Sequence, residues 1–263
     1  MAWFDLGVNL FSSQFDTDRE ALWRNAQQAG VNRWLLIASD LQEARQNLDW
    51  SQQHRHCVTT AGVHPHQADH VQTDWLEQLQ QHAAEPEVVA IGECGLDFNR
   101  NFSSQQSQIA VFRQQLALAQ QLQLPVYLHE RDAFDTQLTL LQEFNIQHGI
   151  THCFTGSKEQ LGAYLDLGLC IGITGWLCDE RRHHELVEAI HYLPLDRICL
   201  ETDAPYLLPR NLNPKPKSRR NEPAFLPAIA SYLAELKGVS IAQLQQQCWK
   251  NSCQLLGLDG EQA

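Results

Sequence analysis

Eight short apolar runs alternate along the chain with longer amphipathic stretches. The runs are continuously apolar, which is typical of parallel strands covered on both faces. They predict strands at 3–9, 33–39, 58–64, 88–93, 125–130, 149–154, 169–175 and 197–202. The other stretches have apolar residues at helical spacing, and they predict helices at 16–30, 41–54, 71–84, 105–123, 132–145, 157–167, 179–192, 224–237 and 240–256. This alternation of strand and helix indicates an α/β fold, the TIM (β/α)8 barrel.

The length of the chain fits one such barrel. It has 263 residues, and a (β/α)8 barrel commonly takes about 250. With 43% hydrophobic residues, the chain can bury a large core. It contains no low-complexity linker and no internal repeat, so we predict a single barrel domain over residues 1–263.

Net charge, cysteine usage and the lack of long apolar stretches indicate which partners and which cellular compartment to expect. The net charge of −12 argues against a protein that coats nucleic acid, but it is compatible with a local basic rim around a pocket. The eight cysteines include no C-x-x-C pair, and several lie in apolar runs. The N-terminus has no basic leader, and no apolar stretch approaches the roughly 18 residues of a membrane span. We therefore expect a cytoplasmic, reduced, monomeric protein that contacts no membrane.

Polar residues of the kind that bind metals end several of the predicted strands. Glu93, His129, His152 and Asp203 each close an apolar run, and His64 closes another. In a barrel, side chains at the carboxyl ends of the strands meet at one face. Two imidazoles and two carboxylates there can hold a divalent metal and leave room for an activated water. The pattern therefore favours the metal-dependent hydrolase type of barrel, with Asp203 as a metal ligand or as the general base.

Basic residues beside these strand ends are candidates for binding an anionic substrate. Arg131 follows His129 by two residues and suits phosphate, although a salt bridge to Asp132 or Asp97 is an equally good interpretation. His66 follows a proline and is expected at the rim of the pocket. The long loop at 204–223 gathers five basic residues, and its alternative interpretation is a solvated surface turn. These five are Arg210, Lys215, Lys217, Arg219 and Arg220.

Five segments carry a resemblance to a known family. They are GVHPH at 62–66, AIGECGLD at 90–97, LHERDA at 128–133, THCFTG at 151–156 and ETDAPYLLP at 201–209. In order and spacing, from residue 3 to about residue 256, the chain resembles the TatD family of metal-dependent deoxyribonucleases, and in particular its TatD subgroup.

The resemblance implies a metal-dependent 3'-5' exonuclease on a TIM barrel. It implies single-stranded DNA or RNA as substrate and Mg²⁺ as the usual cofactor, with Mn²⁺ and Zn²⁺ as alternatives, and it suggests a role in DNA repair. By position, it assigns Glu93, His129 and His152 as metal ligands. It assigns Asp203 as a catalytic or ligating aspartate and His64 as a pocket histidine.

The first strand departs from the family pattern. Most relatives have an H-x-H pair there, whereas this chain has Gly7 and Asn9. Glycine cannot ligate a metal and asparagine is a weak oxygen ligand, so we predict one tightly held ion, with Mg²⁺ or Mn²⁺ favoured over Zn²⁺. Two stoichiometric Zn²⁺ ions per chain would refute this prediction.

Two other functions are compatible with the same residues. Metal chemistry of this kind also serves a hydrolase of a small-molecule ester, amide or phosphoester. A non-enzymatic binding protein could keep the barrel as a scaffold, although the intact set of Glu93, His129, His152 and Asp203 argues against it.

Overall fold

The computed structural model describes residues 2–259, and its eight strands follow the predicted order. They are β1 (Trp3–Val8), β2 (Val31–Leu36), β3 (Cys57–Ala61), β4 (Val88–Asp97), β5 (Val126–Arg131), β6 (Gly149–Thr151), β7 (Cys170–Ile173) and β8 (Ile198–Leu200). Almost every residue in them is buried, as expected for strands covered on both faces.

The strands form one sheet in the order β1 to β8. The pairings of β3 with β4, β4 with β5, β5 with β6, and β7 with β8 are parallel. A parallel bridge joins Val8 and Ala204, so the first strand ends beside the segment that follows the last one. This strand order, with helices between the strands, confirms the predicted (β/α)8 barrel class.

Nine α-helices are present in the described residues. They are α1 (Arg19–Gln28), α2 (Leu41–Gln53), α3 (Trp75–Ala83), α4 (Gln105–Leu122), α5 (Phe134–Glu143), α6 (Lys158–Asp166), α7 (His184–Ile190), α8 (Leu226–Lys237) and α9 (Ile241–Leu255). Side chains that precede a helix determine where several of them begin. Asp40, Ser104 and Ser240 accept hydrogen bonds from backbone N–H groups in the first turns of α2, α4 and α9.

Several predicted boundaries differ from the structure, and three of them lie beside the candidate site or the long loops. The strand predicted to end at His64 ends at Ala61, because His64 instead caps a 3-10 helix over Pro65–His70. The strand predicted to end at Glu93 continues to Asp97. The helix predicted at 179–192 begins only at His184, because the Asp179 side chain binds nearby groups that would otherwise enter the helix.

The chain divides into two compact units, which we describe separately. The terminal unit comprises Met1–Leu35, Cys153–Gly162 and Cys170–Ala263, and the middle unit comprises Leu36–His152 and Ala163–Leu169. Each has its own apolar core. Trp34 and Phe15 are fully buried in the terminal unit, and Tyr127 and Phe112 are fully buried in the middle unit.

Two further observations concern the helices and the cysteines within residues 2–259. No single helix there is long and apolar enough to cross a membrane. All eight cysteines are free thiols, and seven of them are buried.

Candidate metal centre

Glu93 lies at a bulge in β4, within the middle unit. Ile91 lies opposite Val126 on β5 and Cys94 lies opposite Leu128, so β4 uses one more residue than β5 over the same length. Such a bulge re-aims side chains within an otherwise regular strand. The Glu93 amide donates to the carbonyl oxygen of Ala38 at 2.9 Å, and its side chain is buried.

Three imidazoles surround one oxygen of this carboxylate. Oε1 of Glu93 lies 2.8 Å from Nδ1 of His129 and 3.6 Å from Nε2 of His64. The same oxygen lies 3.9 Å from Nε2 of His152. The structure thus brings four predicted site residues together in the middle unit: Glu93, His64, His129 and His152.

The charges in this cluster follow from burial and neighbours. Burial alone would raise the pKa of Glu93, but His64, His129 and His152 hold it well below its usual range. Burial lowers the pKa of His64 to about 3, so its ring is neutral. Burial would also lower the pKa of His129, but the nearby carboxylates of Asp97 and Glu93 raise it to about 9. The metal-free cluster therefore pairs an ionised Glu93 with a protonated His129.

A second carboxylate, Asp97, holds the other side of this cluster. Its Oδ2 lies 2.6 Å from Nε2 of His66 and 3.6 Å from Nε2 of His129. Its Oδ1 accepts hydrogen bonds from the amides of Asn99 and Arg100 at 3.1 and 2.9 Å. Asp97 is thereby fixed at the end of β4, where it holds the ring of His66.

The donor atoms in the middle unit fit a divalent cation. Nε2 of His129 is buried and has no partner within hydrogen-bonding geometry. One ligand atom each from His64, His66 and His129 lies within 4.8 Å of the others. A buried nitrogen without a partner costs free energy unless something binds it. Imidazole nitrogens beside a carboxylate are a donor set that Zn²⁺, Mn²⁺ and Mg²⁺ sites use in different proportions.

The side chain of Tyr127 supports His152, and sequence reasoning missed this contact. The Tyr127 hydroxyl lies 2.6 Å from Nδ1 of His152, and both groups are buried. If Nδ1 carries the proton and donates to the hydroxyl oxygen, Nε2 keeps its lone pair for a metal. Tyr127 sits inside an apolar strand, where a tyrosine is most simply interpreted as core.

Two glutamines of α4 were also missed as supports of the site. Gln115 Oε1 accepts from the amide of Val63 at 2.8 Å, and Gln108 Oε1 accepts from the amide of Asp97 at 2.8 Å. Both glutamines are buried. They fix the backbone that carries His64 and Asp97.

In the terminal unit, Asn9 at the carboxyl end of the first strand holds the side chain of Asp203. Nδ2 of Asn9 donates to Oδ1 of Asp203 at 3.0 Å and to the carbonyl oxygen of Ala204 at 3.2 Å. Asp203 itself has a positive φ of 55°, a conformation that aspartate tolerates better than most residues. Asn9 thus orients the Asp203 carboxylate.

The predicted substrate-binding residues lie in different surroundings. Arg131 ends β5 opposite Asp97, in the middle unit. In the terminal unit, Arg220 binds Asp18 at 2.6 Å and Glu222 at 2.8 Å, which makes it an anchor of the loop. Arg210 approaches Asp179, whereas Lys215, Lys217 and Arg219 are exposed. Their contacts with a substrate stay predictions.

The chain is similar to known proteins over almost its full length. A family model described as TatD related DNase matches residues 4–257. The chain is 50% identical over 258 residues to the 3'-5' ssDNA/RNA exonuclease TatD of Klebsiella pneumoniae, covering 97% of this chain and 98% of that protein. It is 47% identical over 258 residues to the protein of the same name from Erwinia amylovora, covering 97% and 100%.

Solved structures agree with this relationship. A TatD homologue from Escherichia coli is 28% identical, with a TM-score of 0.90 over 97% of this chain and 98% of that one. A hydrolase of the TatD family from Entamoeba histolytica is 26% identical, with a TM-score of 0.89 over 97% and 99%. The chain therefore belongs to the TatD related DNase family.

Proposed function

We propose that the protein is a metal-dependent nuclease that removes nucleotides from the 3' ends of single-stranded DNA and RNA. The observation that carries the proposal is the buried Glu93 with imidazoles of His64, His129 and His152 around one oxygen. The substrate and polarity are those in the names of relatives about half identical to this chain. A nuclease of this polarity would serve DNA repair by trimming unpaired 3' ends.

Glu93, His129 and His152 would hold the metal, with Asp203 as a further ligand or as the base. When bound, Mg²⁺ or a similar ion lowers the pKa of a water and polarises a phosphoryl oxygen. The protonated His129 must lose its proton to ligate, so metal binding releases a proton and weakens at low pH. Tyr127 holds the ring of His152 in the orientation that binding requires.

His64 is better suited to donate a hydrogen bond than to bind the metal. Its Nδ1 accepts from the amide of His66 at 3.1 Å. The neutral ring therefore carries its proton on Nε2, the atom near Glu93. From there it can donate to a phosphate oxygen or to the leaving oxygen. Asp203, oriented by Asn9, would accept the proton of the attacking water.

End-labelled oligonucleotides test this function. A 5'-labelled single strand should shorten stepwise with Mg²⁺ and persist with EDTA, while a 3'-labelled strand should release labelled mononucleotide at once. Release of mononucleotide from the 5' end would contradict the polarity. If folded protein cleaves no strand under any metal but hydrolyses small phosphoesters, the small-molecule hydrolase is the correct function.

A further inference from the structure

A buried carboxylate in the terminal unit gathers three arginines. Oδ1 and Oδ2 of Asp179 accept from Nε and Nη2 of Arg181 at 2.8 and 2.6 Å. Oδ2 also accepts from Nε of Arg182 at 2.9 Å, and Nε of Arg210 lies 3.7 Å from Oδ1. The arginine cluster, Arg181, Arg182 and Arg210, thus surrounds a single acid.

The cluster has more positive charge and more hydrogen-bond donors than the Asp179 carboxylate can neutralise or accept. Three guanidiniums face one carboxylate, so the cluster keeps a surplus of two positive charges in a chain of net charge −12. The arginine side chains are 66%, 46% and 53% exposed, while that of Asp179 is 4% exposed. Each guanidinium has five N–H groups, and Asp179 can accept only a few of them.

The cluster joins two loops that are packed tightly together. Asp179, Arg181 and Arg182 follow the 3-10 helix Gly175–Cys178 after β7, and Arg210 lies in the loop after β8. A Cβ on Gly175 would collide with the carbonyl oxygen of Leu207, so the loops approach as closely as backbone allows. Loops that follow barrel strands form the catalytic face of this fold.

Packing also restrains one arginine that is otherwise exposed. The guanidinium of Arg182 lies over the ring of Trp176, 3.8 Å from its centre. Arginines held in place lose less side-chain entropy when they bind a ligand.

We propose that the arginine cluster binds a phosphodiester group of the single-stranded substrate. The inference rests on the proposed function, since it names a part of the protein that holds the substrate. A guanidinium group can donate two parallel hydrogen bonds to the oxygens of one phosphate. The two surplus positive charges of the cluster also complement the negative charge of a phosphodiester backbone. The contacts carry no base recognition, so the site accepts any sequence.

The same chain contains a matched arginine without surplus charge. Arg113 forms a two-bond pair with Glu143 on the surface of the middle unit, one cation for one anion. Its side chain is 41% exposed, similar to those of the cluster. Arg113→Gln therefore controls for the loss of one exposed arginine.

Fluorescence anisotropy with a labelled single-stranded oligonucleotide in EDTA measures binding without cleavage. We expect Arg181→Gln and Arg210→Gln each to raise Kd by about threefold to tenfold. Each should also reduce the slope of log Kd against log salt by about 0.7, the contribution of one phosphate contact on a single strand. In Mg²⁺, KM should rise while kcat stays near that of the wild type. Arg113→Gln should change neither binding nor its salt dependence.

The two loops give independent variants, and their melting temperatures check that each is folded. Unchanged Kd and salt slope in both variants, with a wild type that cleaves, would overturn the cluster as a binding site and leave the nuclease intact. A wild type that neither binds nor cleaves single strands would overturn both. If Arg113→Gln weakens binding of the oligonucleotide as much as the cluster variants do, the effect is due to net charge alone, and the cluster is not a specific binding site.

Discussion

The protonation of single residues determines what the metal centre can do before any ion arrives. Glu93 stays ionised despite burial, because three imidazoles lie within 3.9 Å of its Oε1. His129 holds a proton that a metal must displace, whereas His64 is neutral. Nδ1 of His129 lies 2.8 Å from Oε1 of Glu93, and its Nε2 lies 3.6 Å from Oδ2 of Asp97.

Tyr127→Phe tests whether an orienting residue matters for metal affinity. Loss of the hydroxyl frees Nδ1 of His152, and we expect metal affinity to fall by about tenfold to 100-fold. Calorimetric titration of the metal-free protein with Mn²⁺ measures the metal affinity of the variant and of the wild type. Tyr164→Phe is the control, because Tyr164 is also buried but contacts the ring of Phe134. Equal affinities in Tyr127→Phe and wild type would show that Tyr127 only fills space.

Asp5 gives a prediction for stability. Burial raises its pKa to about 7, although hydrogen bonds from Thr202 and Gly7 oppose the rise. The unfolded chain has a carboxyl near the ordinary value of 3.8, so between pH 4 and 7 the folded state binds more protons. The stability of the wild type relative to Asp5→Asn should therefore fall as pH rises through this window, by at most about 1.4 kcal/mol per pH unit.

Urea unfolding of both proteins at several pH values checks this prediction. The half-exposed Asp49→Asn controls for removal of any carboxylate. A difference that grows with pH would mean that Asp5 is ionised and stabilised by Thr202.

At the level of elements, the sequence predicted which segments are strands but not where the site residues sit on them. Apolar runs identify β4 and β5, because continuous burial requires them. The bulge that turns Glu93 inward depends on the pairing of β4 with β5, which no local pattern reveals. The buried Gln115 and Gln108 were missed for the same reason, since their partners lie on other elements.

Gly95→Ala tests whether the close approach of β4 and β5 holds the site. Gly95 has a φ of +139°, and a Cβ there would collide with the carbonyl oxygen of His129. We expect a loss of stability of roughly 2 kcal/mol or more and a displaced His129. A Cβ on Gly162 in α6 would meet nothing within 4 Å. Gly162→Ala should therefore leave the stability of the protein unchanged or raise it by up to about 1 kcal/mol. The melting temperatures of the two variants test this prediction. Equal melting temperatures would show that β5 can move away from the added methyl group without loss of stability.

At the level of the whole molecule, the barrel class, the family and the residues around Glu93 were all predictable from sequence. Ligand-type side chains near the ends of separate apolar strands converge in any (β/α)8 barrel, and five motifs in fixed order identify the family. Net charge was a weaker guide, because −12 conceals a local surplus of arginine beside Asp179. Only the positions of side chains in space reveal such a surplus.

The proposed metal site is tested most directly by the Mg²⁺-dependent rate at which Glu93→Gln cleaves a 5'-labelled single strand. Glutamine keeps the size of the side chain but removes the charge that three imidazoles surround. We predict a folded variant whose rate at saturating substrate falls by at least about 100-fold, with weakened Mn²⁺ binding. A folded Glu93→Gln that cleaves at the wild-type rate would contradict the assignment of Glu93 as the centre of the metal site.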